Sequence, residues 1–212
     1  MRQVIAAVAL CATAAFAFSG AGACKHDEPA APAVDPNDQA KEQAKFDAER
    51  QPDKIIAALG LRPGDRVADI GAGTGLMTVH LARAVGPTGH VVATDVNADV
   101  LAMMKQRLAA AGLGDNVERR VVRAEEPGLA ERGAYDAILL AEVDNYFSDP
   151  VAWLQAAIPA LKPGGRIVIE NRVHRRAKSM AAADSAGLQL VSESNPIPAN
   201  FIAVFVPRAG KL

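Results

Sequence analysis

Cysteine is almost missing from this 212-residue chain: Cys11 and Cys24 are the two present, both close to the N-terminus. The rest has neither a disulfide framework nor clustered thiols for zinc, so its stability must come from a core, and no metal site is expected. An excess of one charge is missing too. The 23 basic and 24 acidic residues nearly cancel, with no long run of either sign. That excludes broad attraction to a polyanion, and no nucleic-acid partner is expected. No repeat of solenoid period is visible. With half its residues hydrophobic, the chain has enough apolar material for one sizeable core and too little length for two ordinary catalytic domains.

What is present begins with an address. Arg2 precedes the apolar stretch Val4 to Phe18, and small residues follow from Ser19 to Ala23 before Cys24. This is the charged, hydrophobic and small-residue order of an export signal, so residues 1–23 are set apart from the fold. Ala21-Gly22-Ala23-Cys24 is similar to a bacterial lipoprotein signal, which would place a lipid on Cys24 and the protein at the periplasmic face of the cell envelope. Ala21-Gly22-Ala23 also serves as a simple cleavage site, and an uncleaved anchor is a third reading. Residues 24–37, with Pro29, Pro32 and Pro36 against continuous helix, read as a flexible tether to a domain at 38–212.

Within that domain the pattern alternates. A weakly docking surface helix with Phe46 as its large anchor is expected over Asp38 to Arg50, and a second from Pro52 to a stop at Gly60. Strands are expected at Val67 to Ile70, His90 to Thr94, Val117 to Val122, Ala137 to Ala141 and Arg166 to Glu170. Helices are expected from Leu76 to Val85, up to Gly112, and from Val151 to Leu161. Two final runs, Leu188 to Glu193 and Phe201 to Val206, lie too close for a crossover and should pair antiparallel. The fold class is α/β: a Rossmann-like doubly wound sheet, mostly parallel, with an antiparallel C-terminal edge pair.

Gly71, Gly73 and Gly75 follow the first strand and open a helix, where missing side chains let backbone N–H groups approach a polar ligand. The dinucleotide pattern G-x-G-x-x-G requires glycine where Leu76 stands, and no G-x-x-x-x-G-K-[ST] occurs; both departures count against NAD, FAD and triphosphates here. Asp95 ends the second strand, placed to accept from ribose hydroxyls. Asp69 can hold the loop amides or meet a positively charged amino group. Cationic ligand chemistry fits a site with several acidic residues and no nearby Lys or Arg, as expected here.

D-I-G-A-G-T-G at 69–75, V-V-A-T-D at 91–95, Y-D-A-I-L-L at 135–140 and L-K-P-G-G-R at 161–166 resemble, in order, the motifs of class I S-adenosylmethionine-dependent methyltransferases. The opening L-G-L-R-P-G-D-R-V-A-D-I-G-A-G-T-G at 59–75 and the closing N-F-I-A-V-F at 200–205 resemble a group of small methyltransferases close in pattern to the ubiquinone-biosynthesis and isoaspartyl types. The resemblance implies S-adenosyl-L-methionine as cofactor, with Asp69, Gly71, Ala72, Gly73 and Gly75 around the methionine part and Asp95 at the ribose. It implies Ala124 and Glu125 at the adenine edge, and Glu142 facing cofactor or substrate. Lys162 to Gly165 reads as a structural turn.

A sulfonium methyl is already activated, so alignment matters most and a base is optional. Candidates for catalysis are Glu142, Asp144, Asn145 and Tyr146, after the fourth strand. His174 and the basic residues Arg172, Arg175, Arg176 and Lys178 read as an exposed loop, with an acidic substrate or lipid headgroup as the functional alternative. The segment there is short for a lid, which implies an open site or a protein partner. His80 and Trp153 read as structural. The expected function is methyl transfer to a small molecule or envelope component; the alternative is a non-catalytic cofactor-binding lipoprotein module.

Overall fold

The computed structural model describes residues 35–210, so the expected export signal, Cys24 and the expected tether up to residue 34 lie outside the described residues. Helix α1 (Pro36–Arg50) starts two residues before the expected point. Proline lacks the N–H that a first helical residue would leave unpaired, and the Asp35 side chain accepts from Asn37 N at 2.8 Å. Pro36 therefore opens the helix instead of blocking it. Helix α2 (Pro52–Leu59) ends on left-handed Gly60, as expected.

Strand β1 (Arg66–Ile70), helix α3 (Leu76–Val85), strand β2 (His90–Asp95), helix α4 (Ala98–Ala110) and strand β3 (Val117–Val121) form two successive crossovers. Strand β4 (Tyr135–Ala141), helix α5 (Pro150–Ala157), strand β5 (Leu161–Arg172), helix α6 (Arg176–Ala186), strand β6 (Leu188–Ser194) and strand β7 (Asn200–Pro207) complete the chain. The sheet order is β3-β2-β1-β4-β5-β7-β6, parallel except that β7 runs antiparallel to both β5 and β6. The chain steps outward from β1 on both sides, which puts a topological switch point between β1 and β4.

Alternate strand residues serve opposite faces, as the pleat requires. Val67, Val91, Leu139 and Val168 pack with Ile55 and Leu59 of α2 and Leu81 of α3. Ala68, Val92, Ile138 and Ile167 face the other way, against Trp153 and Leu154 of α5 and Ala182 and Ala183 of α6. The core strands are apolar on both sides because both sides are covered.

Two expectations are corrected. The segment after β5 is a helix: α6 buries the small residues Ser179, Ala182, Ala183 and Ala186. It carries the crossover from β5 to β6, and β7 then returns into the gap between them. The large-residue stripe that marks an amphipathic helix is missing there, which hid it. Lys162 to Gly165 lies inside β5, where Tyr135 pairs Leu161 but Ala137 pairs Arg166, so the glycines build a bulge.

Helix α1 docks through polar groups more than through Phe46. Buried Arg107 of α4 pairs with Glu42, donates to Gln39 O at 3.3 Å and donates to Thr74 O at 2.9 Å. His80 lies 2.7 Å from Asp47, and Gln43 donates to Leu76 O. The Thr74 carbonyl of the glycine loop is thus bound from outside by α4, and the Leu76 carbonyl at the start of α3 by α1.

Candidate active site

A cavity of about 320 Å³ opens at the carboxyl ends of β1 to β4. Ile70 and Gly71 line it from β1, Thr94 to Val96 from β2, Val122 to Ala124 and Glu126 from the segment after β3, Glu142, Val143, Tyr146 and Phe147 from the segment after β4, and Trp153 from α5. Its size is at the low end of small-ligand sites, and its position is where open α/β sheets hold ligands.

The loop conformation follows from its glycines. Gly71, Gly73 and Gly75 all have positive φ, which costs a residue with a Cβ about 1–2 kcal/mol. A Cβ on Gly71 would also stand 2.5 Å from Val143 Cγ2, and one on Gly75 2.5 Å from Met104 Cγ. At Gly73 the space is open, and its N–H donates to Asp95 Oδ2 at 2.9 Å. The other Asp95 oxygen accepts from Asn97 N at 2.9 Å. Asp95, not Asp69, holds the loop amide.

Asp69 sits under the loop on the α3 face of the sheet, 2% exposed, accepting from Thr78 Oγ1 at 2.6 Å. Burial pushes its carboxyl up to about 7, with Thr78 opposing and Asp95 adding to the rise. It contributes no lining to the cavity, and neither do Ala72, Gly73 and Gly75. Of the residues assigned to the cofactor, the cavity draws Gly71, Asp95, Ala124 and Glu142. Glu125 is exposed and accepts from Ser148 N at 3.4 Å, while its neighbour Glu126 takes the place on the cavity wall.

Glu142 is a non-glycine residue with φ of 53°, an uncommon conformation that aims its side chain off the end of β4. Its carboxylate accepts from Arg50 at 2.8 Å and lies 2.6 Å from Arg172 Nε. Arg50 also pairs with Glu170, which is 2% exposed and accepts from Asn200 as well. Burial raises the Glu170 pKa, and Arg50 and Asn200 oppose the rise. These contacts, with Arg123 on the cavity wall, correct the expectation of a site without basic residues. They join residues far apart in sequence, which no local pattern announces.

The catalytic candidates separate. Asp144 is buried and accepts from Asn171 Nδ2 at 2.6 Å and from Ser179 Oγ, which pins the segment after β4 to β5 and α6. Asn145 accepts from the same Asn171 amide at 2.9 Å. Tyr146, 76% exposed, is the candidate besides Glu142 that reaches the cavity. Trp153 belongs to the core as expected, and it also lines the cavity, stacked on Phe147 with ring centroids 4.4 Å apart. His174 is exposed.

Comparison with known proteins supplies the family. Over 157 residues the chain is 31% identical to the ubiquinone/menaquinone biosynthesis C-methyltransferase UbiE of Pseudomonas putida, covering 74% of this chain and 56% of that protein. The corresponding protein of Vibrio cholerae is 34% identical over 114 residues, covering 54% and 44%. The chain thus spans about half the length of the curated relatives it matches. Its fold is shared with a SAM dependent methyltransferase from Aquifex aeolicus, with a TM-score of 0.71 at 22% identity over 82% of this chain and 98% of the other. A SAM-dependent O-methyltransferase from Thermotoga maritima gives 0.61 at 23% identity, covering 74% and 65%. The sequence profile of the methyltransferase domain matches residues 61–197, and the chain belongs to that family.

Proposed function

We propose that the protein is an S-adenosylmethionine-dependent methyltransferase acting on a small molecule or envelope component. The observation that carries this reading is Asp95: one carboxylate both fixes the loop through Gly73 N and lines the cavity at the switch point. The residues present fit the cofactor. Thr94 Oγ1 is buried beside the cavity with no hydrogen-bond partner, and Val96, Val122 and Ala124 offer apolar walls for a flat base. Each Asp95 oxygen accepts one backbone N–H, and a carboxylate has about four acceptor sites, so roughly two remain for ribose hydroxyls.

When bound, the cofactor supplies a methyl group already activated on a sulfonium sulfur. The chain's own residues then align and exclude water. The Phe147 and Trp153 stack closes the cavity wall, Glu142 is held in one orientation by Arg50 and Arg172, and Tyr146 Oη at the rim orients the incoming nucleophile. A dedicated base is optional for such a transfer, because the acceptor's proton can leave to solvent. The export-signal pattern and Cys24 support placing the activity at the periplasmic face of the envelope, on a lipid anchor. Incorporation of a labelled lipid precursor, lost in Cys24→Ala, tests that placement.

Equilibrium binding of S-adenosylmethionine and S-adenosylhomocysteine to the full chain tests the cofactor. Both should bind, and Asp95→Ala should weaken binding at least about tenfold through lost sugar contacts and a loosened loop. Absence of binding to either compound refutes the reading. Binding without turnover on envelope extracts assigns the non-catalytic module instead.

A further inference from the structure

We propose that a second cavity beside the first binds an anionic group, a phosphate or carboxylate, of the methyl acceptor, with Arg175 and Lys178 as its cationic determinants. The word acceptor rests on the methyl-transfer reading; the anion site itself does not. This cavity, of about 230 Å³, lies between the segment after β4 and the first turn of α6, lined by Asp144, Asn145, Phe147, Arg175, Lys178 and Ser179 among others.

Four basic residues cluster in sequence at 172–178, and the structure divides them. Arg172 is neutralised by Glu142 and Arg176 by Glu193. Half-buried Arg175 and exposed Lys178 line the cavity, and neither side chain has an ion-pair or hydrogen-bond partner among the described residues. Asp144 does not serve as their counter-ion: it is buried, and its two oxygens accept from Asn171 and Ser179. Two cations against one carboxylate leave the cavity net positive.

Phe147 lines both cavities. A molecule with an apolar body laid along Phe147 would put its anionic end at Arg175 and Lys178 and its nucleophile toward the first cavity. Two charge-assisted contacts of this kind select an acid over its neutral analogue.

Trp153, the chain's single tryptophan, stacks on Phe147 and so reports on either cavity by its fluorescence. The full chain is titrated with phenyl phosphate and with phenol, in the absence of cofactor. Phenyl phosphate should give a saturable change, and Arg175→Ala/Lys178→Ala should weaken it by roughly tenfold or more. The charge-conserving Arg175→Lys/Lys178→Arg should retain most of the affinity, which separates lost charge from a damaged fold. Vesicles of phosphatidylglycerol distinguish two sources of the anion: vesicles that compete with phenyl phosphate assign a lipid headgroup, and vesicles that do not assign a free acid. Equal affinity for phenol and phenyl phosphate, or for wild type and the alanine variant, overturns the proposal. Because cofactor affinity is measured separately through Asp95→Ala, the two readings fail independently.

Discussion

Replacing Arg50 by alanine removes the guanidinium that touches both Glu142 and Glu170. Glu142 keeps Arg172, but Glu170, 2% exposed, keeps only the neutral amide of Asn200 and still feels the charge of Glu142. Breaking a buried pair from one side costs about 3–5 kcal/mol, because the remaining charge is stranded away from water. Loss of the Arg50 contact over the Phe46 ring, 5.7 Å from its centroid, adds about 0.5–1 kcal/mol that does not depend on pH. The pair's share does depend on pH. Burial already raises the Glu170 pKa above its unfolded value, and removing Arg50 raises it further. A carboxyl raised on folding contributes most below its unfolded pKa and loses that contribution as pH rises through the folded value. The variant's deficit should therefore be small near pH 4 and approach its full size at pH 8.

For a chain of this length each kcal/mol moves Tm by about 2–4 °C, so a loss of about 3 kcal/mol lowers Tm by about 6–12 °C at pH 8. Thermal unfolding followed by circular dichroism at both pH values, for wild type, Arg50→Ala and Arg50→Ala/Glu170→Gln, measures this. The double variant should recover most of the loss, since an amide needs no counter-ion. A deficit equal at both pH values, or a double variant no better than the single, refutes the assignment of Glu170 as a buried carboxylate held by Arg50.

Asp69 titrates with the same sign. Its pKa of about 7 exceeds an unfolded value near 3.9, so it withdraws up to about 4 kcal/mol of stability as pH rises from about 4 through about 7. Asp69→Asn should flatten the stability profile and exceed wild type in Tm at pH 8; a profile of unchanged slope would contradict this. Gly71→Ala combines a left-handed backbone with a Cβ 2.5 Å from Val143 Cγ2 and should cost about 2–4 kcal/mol by urea denaturation, part of it regained in Gly71→Ala/Val143→Ala. Asp144→Ala leaves the Asn171 amide with Asn145 alone and the Ser179 hydroxyl with only a long contact to Arg175 O, and should cost about 1–3 kcal/mol, with faster hydrogen exchange in α6.

The parallel core was legible because its signals are local. Runs such as Val67 to Ile70 end in glycines, and α3 repeats its apolar residues at helical spacing. Helix α6 was not, because close packing on α5 and the sheet selects alanine and serine, which leave no periodic stripe of large residues. The start of α1 was misplaced for a related reason: proline reads as a breaker until its position at the first turn is known. At the site, Gly71 and Asp95 could be placed from spacing, since a strand end fixes both. Arg50, Glu170, Asn200 and Phe147 could not, since each meets its partner through contacts between segments far apart in the chain or on different elements.

That order decides what the acids do. The sequence points four carboxylates at a cationic ligand (Asp69), the ribose (Asp95) or the transferred group (Glu142 and Asp144), yet three are occupied by the protein itself. Asp69 bonds Thr78 under the loop, Glu142 is shared by Arg50 and Arg172, and Asp144 ties β4 to α6. Asp95 alone of the four accepts from backbone amides and retains free acceptor sites on the cavity wall. The electrostatics of the cavity are thus those of a place that orients hydroxyl groups, with its other charges cancelled in pairs nearby. A transfer whose reacting carbon arrives already activated would use that arrangement, with fixed contacts at one end and an aromatic wall, while Arg175 and Lys178 of the neighbouring cavity form no ion pair among the described residues.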